Sequence, residues 1–307
     1  MAKRLLDCVA SDFASFSREE LLESIRKSEG RVIAAETIGS VRPMLGDVSN
    51  AEFVAAMGAD IVLLNMFDVR HPHVEGLPEC EPGEVVRVVK RLTGRPVGIN
   101  LEPAPDDTVG EGDPTWAMTA GRRATVENAL LARDLGVDFI LLTGNPGMGV
   151  SNPAIVSSLT RFRAAVGDSL VLAAGKMHAS GVLCEAAEDI MTEADVAEFT
   201  AAGADIILLP APGTVPGVTL EYAHRIISCA HAAGALTITS IGTSQEGADV
   251  DTIRRIALMC KMAGTDIHHI GDTGYTGMAL PENIQAYSVA IRGARHTYHR
   301  MAASVAR

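Results

Sequence analysis

The chain has 307 residues, with 26 basic against 38 acidic side chains (net charge −12), 47% hydrophobic content and five cysteines. So acidic a protein repels phosphate backbones, which argues against nucleic acid as a partner, and no run reaches the roughly 18–20 uninterrupted apolar residues of a membrane helix. Met1-Ala-Lys-Arg-Leu-Leu-Asp7 turns acidic before any apolar core forms, unlike a secretory leader. Cys8, Cys80, Cys184, Cys229 and Cys260 are scattered with no C-x-x-C pair, so a reducing, cytoplasmic setting is expected.

Aromatic residues make up only 4% of the chain, so its core has to come from Ala, Val, Ile and Leu. Such a core suits parallel strands covered by helices. In chain order, Ser17-Arg-Glu-Glu20 is a capping box opening a helix towards Arg26. It belongs to an N-terminal helical extension over residues 1–30, expected to plug one end of the fold.

Eight apolar runs follow, at 31–37, 59–66, 96–103, 137–145, 169–177, 204–211, 235–243 and 265–272. Four of them share one phrase: Gly58-Ala-Asp-Ile-Val-Leu-Leu-Asn65, Gly136-Val-Asp-Phe-Ile-Leu-Leu-Thr143, Gly203-Ala-Asp-Ile-Ile-Leu-Leu-Pro210 and Gly264-Thr-Asp-Ile-His-His-Ile-Gly271. Each copy follows a helical stretch. The glycine ends that helix in a left-handed conformation, a small residue and Asp make the turn, and the apolar run is a buried strand. The other four runs are introduced by Gly30, Gly94, Gly167 and Gly234.

Eight βα units predict a single closed (β/α)8 TIM barrel in one domain over 1–307. An open doubly wound sheet would need about six strands and a Gly-rich first turn, and neither is present. Pro281 opens an extended C-terminal helix over 281–307. Its segment Arg292–Arg300 is basic, readable as a solvated helix end complementing its dipole or as contact with an acidic patch of another subunit. A homo-oligomer is expected.

Barrel active sites lie at the C-terminal ends of the strands. Asp60, Asp138, Asp205 and Asp266 precede their strands, so they belong to the opposite face as turn caps and are excluded from catalysis. The strand ends instead carry Glu36, Asn65, Asn100, Glu102, Thr143, Asn145, Lys176, His178, Ser240 and Asp272, a set fitted to acid–base chemistry on a small polar molecule.

Lys176 closes the small-residue run Leu172-Ala-Ala-Gly-Lys176, which leaves room for a ligand. It can serve as acid–base or Schiff-base lysine, or simply pair with Glu36 or Glu102. His178, two residues on, would face the same side of an extended segment. Glu36 or Glu102 is the partner carboxylate, while Asn65, Asn100, Thr143, Asn145, Ser240 and Asp272 are substrate positioners. Glu36, Glu102, His178 and Asp272 would be the ligands if a divalent metal ion is used, although neither H-x-H on a strand nor H-E-x-x-H occurs. The cofactor expectation is therefore none or a divalent ion. His71-Pro-His73 reads as a surface loop.

The loops after the seventh and eighth strands, Gly242-Thr-Ser-Gln-Glu-Gly247 and Gly271-Asp-Thr-Gly-Tyr-Thr-Gly277, offer backbone amides for a phosphate. Gly242, Thr243, Ser244, Gly271 and Gly274 are the residues for that role, opposed by the charges of Glu246, Asp249 and Asp272. Thr143-Gly-Asn-Pro-Gly-Met-Gly149 suits close backbone approach to a ligand. Pro210–Gly217 suits a stiff wall, and Pro103–Thr119 a lid.

Gly58–Asn65 followed by Arg95-Pro-Val-Gly-Ile-Asn-Leu-Glu-Pro103 distantly resembles the barrel proteins grouped with the photosystem I biogenesis factor BtpA. That resemblance implies a barrel and a sugar-phosphate substrate. The chain also looks somewhat like the phosphoenolpyruvate mutase and isocitrate lyase barrels, but lacks their cysteine-bearing catalytic loop. The leading expectation is a lyase (aldolase-type) or isomerase acting on a small, phosphorylated carbonyl or sugar compound. The alternatives are a metal-dependent lyase or hydrolase and a non-catalytic metabolite-binding barrel.

Overall fold

Eight strands close into a parallel barrel in chain order: β1 (Val32–Ile38), β2 (Ile61–Asn65), β3 (Val97–Leu101), β4 (Phe139–Leu142), β5 (Val171–Gly175), β6 (Ile206–Pro210), β7 (Leu236–Ile241) and β8 (Ile267–Ile270), with β8 pairing back onto β1. This is a computed structural model, and it describes residues 3–105, 117–144, 149–183 and 186–307. Helices α1 (Ala10–Ser15) and α2 (Arg18–Arg26) precede the barrel. Around it lie α3 (Asn50–Ala56), α4 (Val85–Thr93), α5 (Val126–Leu135), α6 (Asn152–Val166), α7 (Glu193–Ala201), α8 (Leu220–Ala232), α9 (Val250–Ala263) and α10 (Pro281–Ala302). Among the described residues no helix is long and apolar enough to cross a membrane.

Seven of the strands are shorter than their apolar runs because the ladders engage only the central residues; β1 keeps seven residues, one position further on than the expected 31–37. Inside the barrel pack Val32, Ala34, Ile61, Leu63, Phe139, Leu141, Val171, Ala173, Ile206, Leu208, Leu236, Ile238 and Ile267. The intervening residues of the same strands face the helices. Leu21 and Ile25 of α2 join the interior cluster, so this helix plugs the barrel at the strand starts. The expected capping box holds it, with the Ser17 backbone N–H donating to Glu20 Oε2 at 2.9 Å.

Two glycines allow backbone and rings to approach closely. A Cβ on Gly98 would lie 2.1 Å from Phe139 Cζ, so the missing side chain on β3 makes room for the Phe139 ring. A Cβ on Gly175 would lie 1.9 Å from the Leu208 carbonyl oxygen of β6.

The repeated aspartates do more than cap turns. Asp60, Asp138, Asp205 and Asp266 each accept, through Oδ2, the backbone N–H at the start of the preceding strand: Ile33, Val97, Leu172 and Thr237, at 2.8–2.9 Å. The phrase recurs on every second strand because it staples the strands in pairs, β1 to β2, β3 to β4, β5 to β6 and β7 to β8. Three of the carboxylates also meet cations, Arg292 and Arg300 at Asp60, Lys90 at Asp138, and Arg18 and Arg163 at Asp205, while Asp266 meets the His231 imidazole.

That arrangement revises the reading of the basic C-terminal segment. Gly293 has non-helical dihedrals (φ 76°, ψ 163°) and breaks α10. The break lets Arg292 and Arg300 both turn inward onto Asp60, where they are 6% and 1% exposed. Arg300 also donates to the carbonyls of Leu5 (2.6 Å) and Cys8 (3.0 Å). These two charges are neither a solvated helix end nor a subunit contact; they lock the C-terminal helix and the N-terminal segment to the strand starts.

Candidate active site

The inward register that builds the core continues two residues further along each strand and there becomes polar. Ala34 is followed by Glu36, Leu63 by Asn65, Gly98 by Asn100, Leu141 by Thr143, Ile238 by Ser240 and Ile267 by His269. These residues form the top layer of the barrel interior. Above them opens a cavity of about 330 Å³ lined by Glu36, Ile38, Asn65, Met66, Asn100, Glu102, Arg122, Thr143, Gly144, Met177, His178, Gly242, Glu246, Gly271 and Asp272.

A chain of hydrogen bonds runs across its floor. Asn100 Nδ2 donates to Glu36 Oε1 (2.9 Å) and to Asn65 Oδ1 (3.0 Å); Asn65 Nδ2 donates to Asp272 Oδ2 (2.8 Å). Asp272 Oδ1 accepts the backbone N–H of Gly274 at 2.8 Å. Beneath the floor, Ser240 Oγ lies 2.8 Å from His269 Nδ1, and His269 Nε2 lies 3.6 Å from Glu36 Oε2, longer than a hydrogen bond.

Burial, then repulsion from Asp272, pushes the Glu36 carboxyl well above the usual glutamate range, against the opposing hydrogen bond from Asn100; Glu246 adds further repulsion. Burial likewise raises Glu246 and Asp272. His269, wholly buried, is pushed down to about 3 and is neutral, so its contact with Glu36 is not an ion pair. Burial also lowers His178, whose Nδ1 is 2.7 Å from Ser180 Oγ, leaving Nε2 for a ligand. Glu102 is held differently, by the Arg122 guanidinium, which also donates to the Ala117 carbonyl at 2.8 Å.

Backbone strain gathers at the same end. The non-glycine residues with positive φ include Met66 (57°), Ser180 (48°), Ser244 (81°) and Thr273 (54°), all in loops that follow the strands. Such conformations persist where the surroundings enforce them, which is often at functional sites.

Of the residues expected at the site, Glu36, Asn65, Asn100, Glu102, Thr143, His178, Gly242, Gly271 and Asp272 meet around the cavity. Ser240 lies one step below, bonded to His269. Lys176 is buried and outside the wall; Met177 and His178 line it instead, so Lys176 and His178 do not share its face. Thr243, Ser244 and Gly274 are also outside the wall. The Thr243 hydroxyl is spent on the Thr214 carbonyl and Gln245, both at 2.6 Å.

Asn145 lies outside the described residues, as do most of the Pro103–Thr119 segment and the middle of the Thr143–Gly149 loop. None of Pro210–Gly217 lines the cavity, so that loop is not its wall. His71 and His73 are exposed in a surface loop, as read from the sequence. Among the described residues no group of three or more His, Cys, Asp or Glu side chains could hold a metal ion; Glu36, Glu102, His178 and Asp272 are not gathered into one ligand set.

Sequence reasoning missed His269, Arg122, Met66 and Met177, and gave Glu246 no part in the site. Strict alternation from Ile267 would have placed His269 beside Ser240, but the repeat phrase disguised it as part of an apolar run. Arg122 carries no such signal, because a turn far from the strand pattern delivers it.

Solved structures with the same architecture include a Schiff-base-forming fructose-1,6-bisphosphate aldolase (16% identity, covering 88% of this chain and 99% of that one, TM-score 0.56). An archaeal fructose 1,6-bisphosphate aldolase matches similarly (15% identity, 88% and 98% covered, TM-score 0.55), as does a proposed lyase/mutase from Burkholderia cenocepacia J2315 (16% identity, 86% and 84% covered, TM-score 0.50). At these identities the likeness shows the fold, one shared with lyases that act on small metabolites. No curated protein sequence matches the chain. A family model does match it over residues 6–307, so the chain belongs to the family described as Domain of unknown function (DUF7916).

Proposed function

We propose that this barrel is a lyase or isomerase that moves protons on a small carbonyl or sugar compound. The observation that carries the reading is Glu36: a buried carboxyl on the cavity floor, whose protonated form is favoured by burial and by the neighbouring Asp272. A neutral imidazole, His178, stands on the same wall. In the proposed step, His178 Nε2 takes a proton from the carbon next to the carbonyl, and Glu36 gives its proton to the carbonyl oxygen. The product is a neutral enediol, with an imidazolium and a carboxylate left behind. Returning that proton to the former carbonyl carbon, while the Glu36 carboxylate takes the proton of the other enediol hydroxyl, completes an isomerisation. In an aldol cleavage His178 instead takes the proton of the β-hydroxyl, the carbon–carbon bond breaks to release an aldehyde or ketone, and Glu36 protonates the carbonyl oxygen of the remaining fragment to give its enol. Asn65 and Asn100 orient hydroxyls, and the paired Arg122–Glu102 frames the far side.

The test is incorporation of solvent deuterium next to the carbonyl of small hydroxy-carbonyl compounds, followed by NMR. Exchange should fall by at least ~10²-fold in Glu36→Gln; undiminished exchange in that variant would remove Glu36 from the chemistry.

An imine route through Lys176 is the second reading. Of the five lysines, only Lys176 follows a strand end; Lys3 and Lys27 belong to the N-terminal segment, Lys90 pairs with Asp138, and Lys261 donates to the Ile291 carbonyl. Borohydride reduction in the presence of substrate separates the two: a covalent adduct on Lys176 supports the imine, and unmodified protein from a turning-over sample supports direct proton transfer.

A further inference from the structure

The cavity is unusual in its charge. Four carboxyl groups line it, against one guanidinium, and that guanidinium is already paired with Glu102. Among the described residues, Glu36, Glu246 and Asp272 therefore share a wall without a cation of their own, and the charged groups that act on Glu36 are the other two carboxyls. Residues 106–116 and 145–148, outside the described residues, contain no lysine or arginine in their sequence. Two acceptors on wall residues that are each 6% exposed, Asn100 Oδ1 and Glu246 Oε2, are buried without a donor. A pocket of this kind is short of positive charge and of donors for these two acceptors. A phosphate would bring neither; it adds negative charge and acceptors beside Glu246 and Asp272.

We infer that the ligand of this site carries a primary ammonium group and no phosphate. An ammonium offers three N–H donors and the missing charge together. It would sit against Glu246 and Asp272, leaving its carbonyl or hydroxyl end to Glu36 and Asn100. Gly242 and Gly271 then serve the close packing of Met177 and the Ile241 carbonyl, which a Cβ would approach to 3.1 Å and 2.8 Å, and not a phosphate cradle. The inference rests on the acid–base reading for the location of the site but makes a separate claim about what enters it.

The experiment compares matched probes by calorimetry and thermal unfolding: aminoacetone, hydroxyacetone and hydroxyacetone phosphate, then glucosamine, glucose and glucose 6-phosphate. At least one amine should bind more tightly than its hydroxyl counterpart, with proton release and with affinity rising from pH 5 to pH 7 as the carboxyls ionise while the amine stays an ammonium. Glu246→Gln and Asp272→Asn, taken separately so that one misfolded variant does not decide the matter, should each weaken amine binding roughly tenfold or more. Tighter binding of either phosphate, equal binding of amine and hydroxyl, or no binding of both amines would overturn the inference. Amine binding without deuterium exchange would leave this inference standing and remove the proposed reaction; exchange into hydroxyacetone phosphate would do the reverse.

Discussion

Replacing Asp60 by alanine removes one carboxylate from beneath two buried guanidiniums. Asp60 and the side chain of Arg292 are wholly buried, and that of Arg300 is 1% exposed, with its Nε 2.7 Å from Asp60 Oδ1. Breaking a buried ion pair by deleting one partner costs about 3–5 kcal/mol, because the surviving charge stays in place without its counter-ion. The Ile33 N–H, which donates to Asp60 Oδ2 at 2.8 Å, loses its acceptor as well, for about 1–3 kcal/mol more. Arg292 and Arg300 keep their bonds to the Gly58, Leu5 and Cys8 carbonyls, which places the total near the low end, about 4 kcal/mol.

That is a large share of the ~5–15 kcal/mol by which folded proteins exceed their unfolded states. Asp138 makes the internal comparison. It staples Val97 in the same way but meets only Lys90, and the two side chains are 16% and 26% exposed. Asp138→Ala should therefore cost only about 1–2 kcal/mol. Urea unfolding followed by circular dichroism, with the slope checked for constancy, reads both. An Asp60→Ala variant within 1 kcal/mol of the parent, or no less stable than Asp138→Ala, would refute the idea that the C-terminal arginines lock the fold through Asp60.

Other expectations follow from the same geometry. Because the folded Glu36 carboxyl titrates above its unfolded value, its stabilising contribution is full below about pH 4.5 and fades as pH rises through the folded value. Glu36→Gln keeps an acceptor for Asn100 and should therefore gain thermal stability over the parent at pH 8, with the gap shrinking towards pH 5, while losing exchange activity; a gap that does not change with pH would contradict the assignment. His231 is raised by its bond to Asp266, so its contribution is present below about pH 6.5 and lost as pH rises. With its side chain 41% exposed, His231→Ala should cost under ~1 kcal/mol at pH 5.5 and nothing measurable at pH 8.5. Gly175→Ala drives a methyl into the Leu208 carbonyl and should lower stability by about 1–3 kcal/mol or more; an unchanged melting temperature would mean that β5 and β6 can move apart freely.

The barrel was legible from residue order because its signals are local. A glycine with positive φ ends each helix before a repeat phrase, at Gly58 (106°), Gly136 (92°), Gly203 (107°) and Gly264 (97°), and an apolar run follows each one. The end of the barrel that holds the cavity, and the polar strand-end residues of its wall, could be read from the strand pattern, since a strand that points Ala34 inward must point Glu36 inward too; Gly242 and Gly271 came from the glycine content of their loops. The placement of Lys176 did not. Whether the residue after a strand still faces the axis depends on how the chain leaves the sheet, and here Met177 and His178 take the wall. Nor could residue order show that Arg292 and Arg300 meet Asp60, some 230 positions away, or that three carboxyls share a cavity without a cation. Those are distances between segments remote in the chain. They set the desolvation and repulsion that raise the Glu36 carboxyl, so the electrostatics of the cavity belong to the closed barrel and to no single strand.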